Sequence, residues 1–305
     1  MLSPDFDNEF LRRLVKVPVD ETISPDLLQS ALSGPPFITL PGSLNVRDIG
    51  SFASDYVKKR TVFRSGTLDF IASADRHLLR SQLGLTKIYD FRRPDEIKQP
   101  IRDVDGIEIL FCPYKDGTEM PEPIATADFA PMDGADVGNG YRRMYDGILQ
   151  GYTTGFRKVF EGLHDANESS AFLFHCTVGK DRTGVMTALI LELMGAPVQL
   201  IAEEYALTRI GVEPFREKLW PAVIESYGGP VASDQQLNHA APVQRSLNIK
   251  SPGLRDMLGI ASEVMVGFIE QLRNKYGGAK GYLTECLGFT NDQIRQIQDN
   301  LRPGP

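Results

Sequence analysis

The chain has 305 residues, of which 42% are hydrophobic and 24% are charged, and its formal net charge is −7. These values are typical of a globular protein that can bury a substantial core. The negative charge argues against a general binder of nucleic acid or of anionic membranes, but it is compatible with a phosphorylated substrate held in a locally positive pocket. No apolar run reaches the length of a membrane helix, and the first residues lack the pattern of a signal peptide. Three widely spaced cysteines favour free thiols, so we expect a cytoplasmic protein.

The first elements are predicted to be short helices. Residues 7–15 have amphipathic spacing, and Ser24-Pro25 then supplies an N-cap and a proline at the first helical position. Gly34-Pro35-Pro36 ends the second helix. We assign residues 1–36 to an N-terminal helical extension.

Strands and helices alternate in the following part of the chain. Short strands are predicted over residues 60–65, 85–91, 107–112 and 171–175. This alternation predicts an α/β fold with a small central sheet flanked by helices, in one catalytic domain over residues 37–301.

A long irregular stretch and a helical end complete the predicted domain. Residues 113–139 are rich in proline, glycine, alanine and acids, which is typical of a functional lid or of disorder, so we mark residues 113–145 as a candidate lid. Helices are expected over residues 198–209, 214–227, 261–276 and 291–301. They predict that residues 198–301 are a helical C-terminal part of the same domain.

One loop carries most of the chemical information. The predicted strand Ala171–His175 leads into Cys176-Thr-Val-Gly-Lys-Asp-Arg182, and an apolar helix follows. Backbone N–H groups and the positive end of a helix dipole converge at such a junction, which makes it a natural seat for an anion. The same field favours a thiolate, so we predict that Cys176 is a nucleophile. Cys112 and Cys286 lie in apolar strand and helix contexts, and for both we predict core packing.

Arg182 is the predicted phosphate clamp, because its planar guanidinium matches two phosphoryl oxygens. The backbone N–H groups of the loop would complete the cradle; the residues concerned are Thr177, Val178, Gly179 and Lys180. Thr183 is expected either to donate a hydrogen bond to the Cys176 sulfur or to cap the helix, and the two roles are compatible.

The sequence identifies the acid that protonates the leaving group less clearly than it identifies the nucleophile. Asp181 is the carboxylate nearest in sequence to the nucleophile, although it could instead pair with Lys180. Asp90, at the end of a predicted strand, and Asp116, at the start of the acidic stretch, are its rivals. We rank Asp181 first and Asp90 second.

Other chemistries fit this loop poorly. A nucleotide-binding loop needs Gly-x-x-x-x-Gly-Lys-Ser/Thr, but Asp181 follows Gly179-Lys180, and Phe174 stands where the first glycine should be. A zinc site needs clustered ligands, and His175-Cys176 has no partner pair. We therefore expect no metal and no cofactor. A non-catalytic phosphate-binding module and a rhodanese-like sulfurtransferase remain as alternatives, but the spacing of Arg182 from Cys176 favours phosphate hydrolysis.

The loop also carries a family resemblance. His175-Cys-Thr-Val-Gly-Lys-Asp-Arg-Thr-Gly184 resembles the His-Cys-x5-Arg loop of protein tyrosine phosphatases, and more narrowly that of the atypical tyrosine/serine phosphatases of bacteria and fungi. The resemblance covers roughly residues 40–301. Further segments similar to landmarks of that family are Asn45-Val-Arg-Asp48, Phe63-Arg-Ser-Gly66, Asp90-Phe-Arg-Arg93 with Glu96, Tyr141 with Met144 and Tyr145, Glu204-Tyr205, and Gly281-Tyr-Leu283.

The resemblance implies a cysteine-phosphatase-like fold with a helical lid, and a metal-independent phosphomonoester hydrolase that forms a phosphocysteine on Cys176. It also implies that Asp181 is the acid, that Asp90 assists it, and that Lys180 broadens substrate choice. Members of the family act on phosphotyrosine, phosphoserine/threonine and phosphoinositides, so the implied partner is a phosphorylated protein or another phosphoester. A small-molecule or lipid phosphate is the alternative substrate. The chain has no Trp-Pro-Asp loop to carry the acid, since its one tryptophan, Trp220, precedes Pro-Ala.

Overall fold

The computed structural model describes residues 8–101, 104–115, 124–131, 138–228 and 253–304. The strands within these residues are β1 (Arg47–Asp48), β2 (Val62–Ser65), β3 (Lys87–Asp90), β4 (Glu108–Phe111) and β5 (Phe172–His175). The helices are α1 (Asn8–Leu14), α2 (Pro25–Leu32), α3 (Ile49–Phe52), α4 (Leu78–Ser81), α5 (Asn139–Gly151), α6 (Thr153–His164), α7 (Asp181–Leu193), α8 (Val198–Ala206), α9 (Thr208–Gly211), α10 (Arg216–Gly228), α11 (Leu254–Leu258), α12 (Ser262–Tyr276), α13 (Ala279–Glu285) and α14 (Asn291–Leu301). Short 3₁₀ helices lie at Ser73–Asp75, Pro94–Glu96, Thr126–Phe129 and Glu213–Phe215.

The five strands form one sheet in the order β1-β2-β5-β3-β4, in which only β1 is antiparallel to its neighbour. This mixed sheet flanked by helices confirms the predicted α/β class. Ser65, His175 and Asp90 are register partners at the carboxyl ends of three adjacent strands. Because parallel strands end at the same edge of a sheet, the loop after β5 opens beside the loops that follow β2 and β3.

Apolar cores cover both faces of the sheet. Phe172 and Phe174 belong to a large cluster with the helices, whereas Leu173 packs with Phe63 and Ile88 on the other face. Helix α7 is buried almost throughout its length, which explains why its sequence is apolar all round rather than amphipathic.

The terminal helices pack onto this core. Leu11 and Leu14 of α1 belong to a small apolar cluster that also contains Leu207 and Ile210, so the N-terminal helices rest on the region of α9. At the other end, α12 packs against α8, and its residue Phe268 belongs to the main core. The domain boundary at residue 36 stays a prediction.

Two local expectations differ from the structure. Helix α7 begins at Asp181, inside the loop. Cys112 is buried as predicted, but the prediction for Cys286 is wrong, because this residue is exposed at the C-cap of α13.

Two further predictions depend on which residues the structure describes. Asp116 and much of the candidate lid at 113–145 lie outside the described residues. Within the described residues, no helix combines the length and the apolarity that crossing a membrane requires.

A buried ion network joins the sheet to helix α8. Glu204 accepts a hydrogen bond from Arg47 Nε at 2.6 Å and pairs with Arg64 Nη1 through its other oxygen, and the three side chains are at most 1% exposed. Burial alone would raise the pKa of Glu204, but Arg47 and Arg64 outweigh it and lower that pKa. The carboxylate is therefore charged and satisfied inside the core.

Removing this carboxylate is expected to destabilise the fold, because two buried guanidinium groups lose their counter-ion. We expect Glu204→Gln to lower the free energy of unfolding by about 3 kcal/mol. The matched control is Glu203→Gln, since Glu203 pairs with Arg12 at the surface and should contribute less than about 1 kcal/mol. Denaturant titration of both variants measures the two losses, and equal losses would contradict the assigned role of the network.

Candidate active site

The loop between β5 and α7 turns tightly against β2. Gly179 has a φ of +76°, and a Cβ atom built on it would lie 2.5 Å from the carbonyl oxygen of Ser65. Both the left-handed backbone and the close approach require glycine. Gly179 therefore fixes the shape of the loop.

The carbonyl groups of the loop are bound from behind. Arg64 Nη2 donates to the Gly179 carbonyl at 2.7 Å, and Asn45 Nδ2 approaches the carbonyls of Val178 and Gly179 at 3.4 and 3.3 Å. Arg64 is the same residue that pairs with Glu204, so the buried ion network supports the loop directly.

The N–H groups of the loop are left for a ligand. Thr67 N–H binds the Thr177 carbonyl at 2.9 Å, which fixes the start of the loop. In the part of the chain that the structure describes, no hydrogen bond uses the backbone N–H groups of residues 177–183 as donors. These groups lie at the N-terminus of a helix of 13 residues, where the dipole adds to their positive field. The loop can bind an anion such as a phosphate.

Cys176 lies at the base of this cradle, directly after β5, and is 2% exposed. Thr183 is the third residue of α7, whose N-cap is Lys180, so the expected capping role of Thr183 is wrong. Its buried Oγ1 has no hydrogen-bond partner among the described residues. The hydrogen bond from Thr183 to the Cys176 sulfur stays a prediction.

Arg182 is held in place by Glu96, which belongs to the 3₁₀ helix after β3. Its Nη1 and Nη2 atoms donate to the two carboxylate oxygens at 2.6 and 2.7 Å, and Thr177 Oγ1 donates to the same carboxylate at 2.8 Å. Burial alone would raise the pKa of the Glu96 carboxyl, but the hydrogen bonds with Arg182 outweigh it and lower the pKa to about 2. This bidentate pair fixes the plane of the guanidinium across the loop.

The side chain of Lys180 binds residues outside the loop. Its ammonium donates to the Tyr141 hydroxyl at 2.9 Å and to the carbonyls of Met257 and Gly259 at 2.8 and 3.3 Å. An ammonium has three donors, and these contacts occupy all of them. In this structure the side chain of Lys180 therefore fastens the loop to Tyr141 and to the segment of residues 257–259.

Asp181 and Asp90 lie in different environments. Asp181 Oδ1 accepts a hydrogen bond from Tyr145 at 3.0 Å and lies 3.3 Å from Lys180 Nζ, and the side chain is 27% exposed. Asp90 accepts hydrogen bonds from Arg92 on both carboxylate oxygens. Burial alone would raise the pKa of Asp90, but His175 and Arg92 outweigh it and lower that pKa. Asp90 is therefore an ion-pair partner that is already ionised.

Sequence reasoning missed the partners that shape the loop. Glu96, Arg64, Asn45 and Tyr145 all stand in the segments that resemble family landmarks, but no spacing rule connects them with the loop. Their contacts cross 36 to 134 positions of sequence. Each landmark segment contains a charged or polar residue, and this was the signal available in the sequence. It indicates that the residue has a role, but it does not identify the residue that it contacts.

The parallel sheet edge, the glycine turn and the loop N–H groups without an acceptor beside a buried cysteine are the arrangement expected of a phosphatase that uses a cysteine. Comparisons with known proteins agree. A family model described as "Tyrosine phosphatase family" matches residues 38–303, which is most of the chain. The chain belongs to the tyrosine phosphatase family.

Comparison with individual proteins gives low sequence identities. The chain is 26% identical over 283 residues to the triple specificity protein phosphatase PtpB of Mycobacterium tuberculosis, with 86% of this chain and 98% of that protein covered. It is 32% identical over 150 residues to a tyrosine-protein phosphatase of Nostoc commune, which covers 48% of this chain and only 44% of that protein. Among solved structures, the core catalytic domain of the PP-IP phosphatase SIW14 from S. cerevisiae matches with 18% identity and a TM-score of 0.29, over 52% of this chain and 79% of that one.

The pair between Glu96 and Arg182 predicts a specific pH dependence of stability. Because the folded pKa lies below the ordinary value of 4.5, the contribution is complete above about pH 4.5 and is lost as pH falls towards 2. We expect Glu96→Gln to lower the free energy of unfolding by about 2 kcal/mol at pH 7. The difference from the wild type should shrink between pH 4.5 and pH 2, as measured by denaturant titration. A gap that does not change with pH would contradict the assignment.

Proposed function

We propose that the chain hydrolyses phosphomonoesters of proteins, phosphotyrosine first, through a cysteinyl-phosphate on Cys176. The observation that carries this proposal is the loop of residues 176–182, which begins with a buried cysteine, has carbonyls bound by Arg64 and Asn45, and has N–H groups that donate to no acceptor among the described residues. The relatives support protein substrates, since PtpB, whose name describes triple specificity, aligns over 98% of its length. Phosphoserine/threonine or phosphoinositide would be further substrates.

The mechanism assigns one role to each part of the loop. The N–H groups of Thr177, Val178, Gly179 and Lys180 bind the phosphoryl oxygens together with the Arg182 fork, and they stabilise the charge that develops in the transition state. The Cys176 thiolate attacks phosphorus from the base of the cradle. Water then hydrolyses the phosphocysteine.

Asp181 is the acid in this proposal. It lies at the mouth of the loop and is more exposed than Asp90, whose side chain is 10% exposed and tied to Arg92. An acid must present a carboxyl oxygen that can carry the proton, and Arg92 binds both oxygens of Asp90. Asp90 then assists by orienting Arg92, which also binds Thr67 Oγ1 at 2.9 Å and so supports the residue that fixes the start of the loop.

Lys180 influences substrate choice indirectly in this proposal. It holds the loop against Tyr141 and the α11 segment, and it lies 3.3 Å from Asp181 Oδ1. A phosphatase of small-molecule or lipid phosphates is the second candidate for the same loop chemistry. We also propose a cytoplasmic location without a nucleic-acid partner, on the support of three free cysteines and a net charge of −7.

Cys176→Ser tests the nucleophile. We expect turnover of an aryl phosphate to fall by about a thousandfold or more, because serine is not ionised at neutral pH. Binding of a phosphotyrosyl peptide, measured by calorimetry, should persist because the N–H cradle is intact. Cys286→Ser is the matched control, since this exposed cysteine should be dispensable. Unchanged turnover in Cys176→Ser would reject the mechanism. If the wild-type chain turns over the aryl phosphate as slowly as this variant, a non-catalytic phosphate-binding module is favoured.

The substrate class is tested by a kinetic panel. We expect kcat/KM to be highest for a phosphotyrosyl peptide and lower for a phosphoseryl peptide, a phosphoinositide and small phosphate esters, with all rates unaffected by a metal chelator. Arg182→Lys should reduce every rate in the panel, because a point charge replaces the bidentate fork. Highest efficiency for a small ester or for the phosphoinositide would favour the second candidate.

A further inference from the structure

The carboxyl group of Asp181 is held by one oxygen only. Tyr145 donates its hydroxyl proton to Oδ1 at 3.0 Å, and the ammonium of Lys180 lies 3.3 Å from the same oxygen. Among the described residues, no hydrogen bond reaches Oδ2. The two oxygens of this carboxyl are therefore unequal: the protein binds one and leaves the other to whatever occupies the loop.

Tyr145 is itself fixed by a second tyrosine. Its hydroxyl lies 2.9 Å from that of Tyr205 in α8, and each of the two residues is 1% exposed. A phenol has one proton to donate, and that of Tyr145 goes to the carboxylate. Tyr205 is thus the donor in the tyrosine pair, and the order of donation is Tyr205 to Tyr145 to Asp181.

The surroundings keep both hydroxyls protonated. Burial raises the pKa of Tyr145 and of Tyr205. The other titratable or charged groups that face the pair are Tyr141 of α5, Lys180 and Asp181 of the loop, and Arg64 of β2. The chain of donors accordingly persists over the pH range in which a phosphatase works.

We propose that Tyr145, supported by Tyr205, is a positioning residue that fixes Asp181 through Oδ1, so that Oδ2 carries the proton transferred in catalysis. This inference rests on the proposed function, in which Asp181 is the acid. As the Cys176 Sγ–phosphorus bond forms, the ester P–O bond breaks and its electron pair goes to the leaving oxygen, which takes the proton from Oδ2. In the second half, water loses a proton to Oδ2 while its oxygen attacks phosphorus, and the electron pair of the S–P bond returns to the sulfur.

A positioned acid has a kinetic signature. Protonation of the leaving group matters most when that group is a poor one, and kcat/KM reports the first irreversible step, which is cleavage of the ester bond. Loss of positioning should therefore affect phenyl phosphate much more than p-nitrophenyl phosphate. A merely structural role would affect both esters equally.

The experiment compares Tyr145→Phe with the wild-type chain. We expect kcat/KM for phenyl phosphate to fall about tenfold or more, and that for p-nitrophenyl phosphate to fall less than about threefold. The inhibition constant of inorganic phosphate should stay unchanged, because the cradle itself is intact. Tyr205→Phe should change the ratio in the same direction but less. Equal losses for both esters, or weakened phosphate inhibition, would overturn the inference.

Two controls separate this inference from the proposed function. Tyr282→Phe removes another buried hydroxyl, which donates to the Leu149 carbonyl at 2.5 Å, and it should leave the ratio of the two esters unchanged. Asp181→Asn should show the same leaving-group pattern as Tyr145→Phe, and combining the two should add nothing. If Asp181→Asn shows no such pattern, the assignment of the acid fails and the inference with it. If Asp181→Asn shows it and Tyr145→Phe behaves like Tyr282→Phe, the inference alone is wrong.

Discussion

A loop that binds phosphate through its backbone must point several N–H groups at the ligand, and its carbonyl oxygens then need donors behind the loop. In this chain Arg64 and Asn45 supply those donors, and Arg64 is in turn neutralised by Glu204 from a helix that follows the loop in sequence. A guanidinium in a dry interior without a counter-ion would be costly, so the shape of the loop depends on the docking of α8 against the sheet. Arg47 completes the network and binds Asn45 as well.

A second group of contacts fixes the side chains in front of the loop. Glu96 aligns the fork of Arg182, and Tyr145 and Lys180 hold one oxygen of Asp181. These supports come from the segment after β3, from α5 and from the loop itself. The loop that carries Cys176, Asp181 and Arg182 can therefore be short, while its supports are spread over much of the fold.

The sequence predicted the parts whose signals are local. The strand–loop–helix around Cys176 follows from a short apolar run, a glycine turn and an apolar helix. The direction of Lys180 could not be predicted in this way, because its partners at Met257 and Gly259 lie 77 and 79 positions away and are backbone carbonyls, which carry no side-chain signal. The capping role expected for Thr183 failed for a related reason: the helix starts at Asp181, earlier than expected, and the role of a capping residue depends on that start.

The contact of Lys180 with the carbonyls of residues 257 and 259 has a consequence for synthesis of the chain. The ribosome makes the chain from its N-terminus, so the loop of residues 176–182 is synthesised before α11 and the segment after it. Until those residues arrive, Lys180 lacks two of its three acceptors. A nascent chain that ends before Met257 thus carries Cys176 in a loop without this anchor. Such a polypeptide would contain Cys176, Asp181 and Arg182 and would still lack the contacts that fasten their loop to the C-terminal segment.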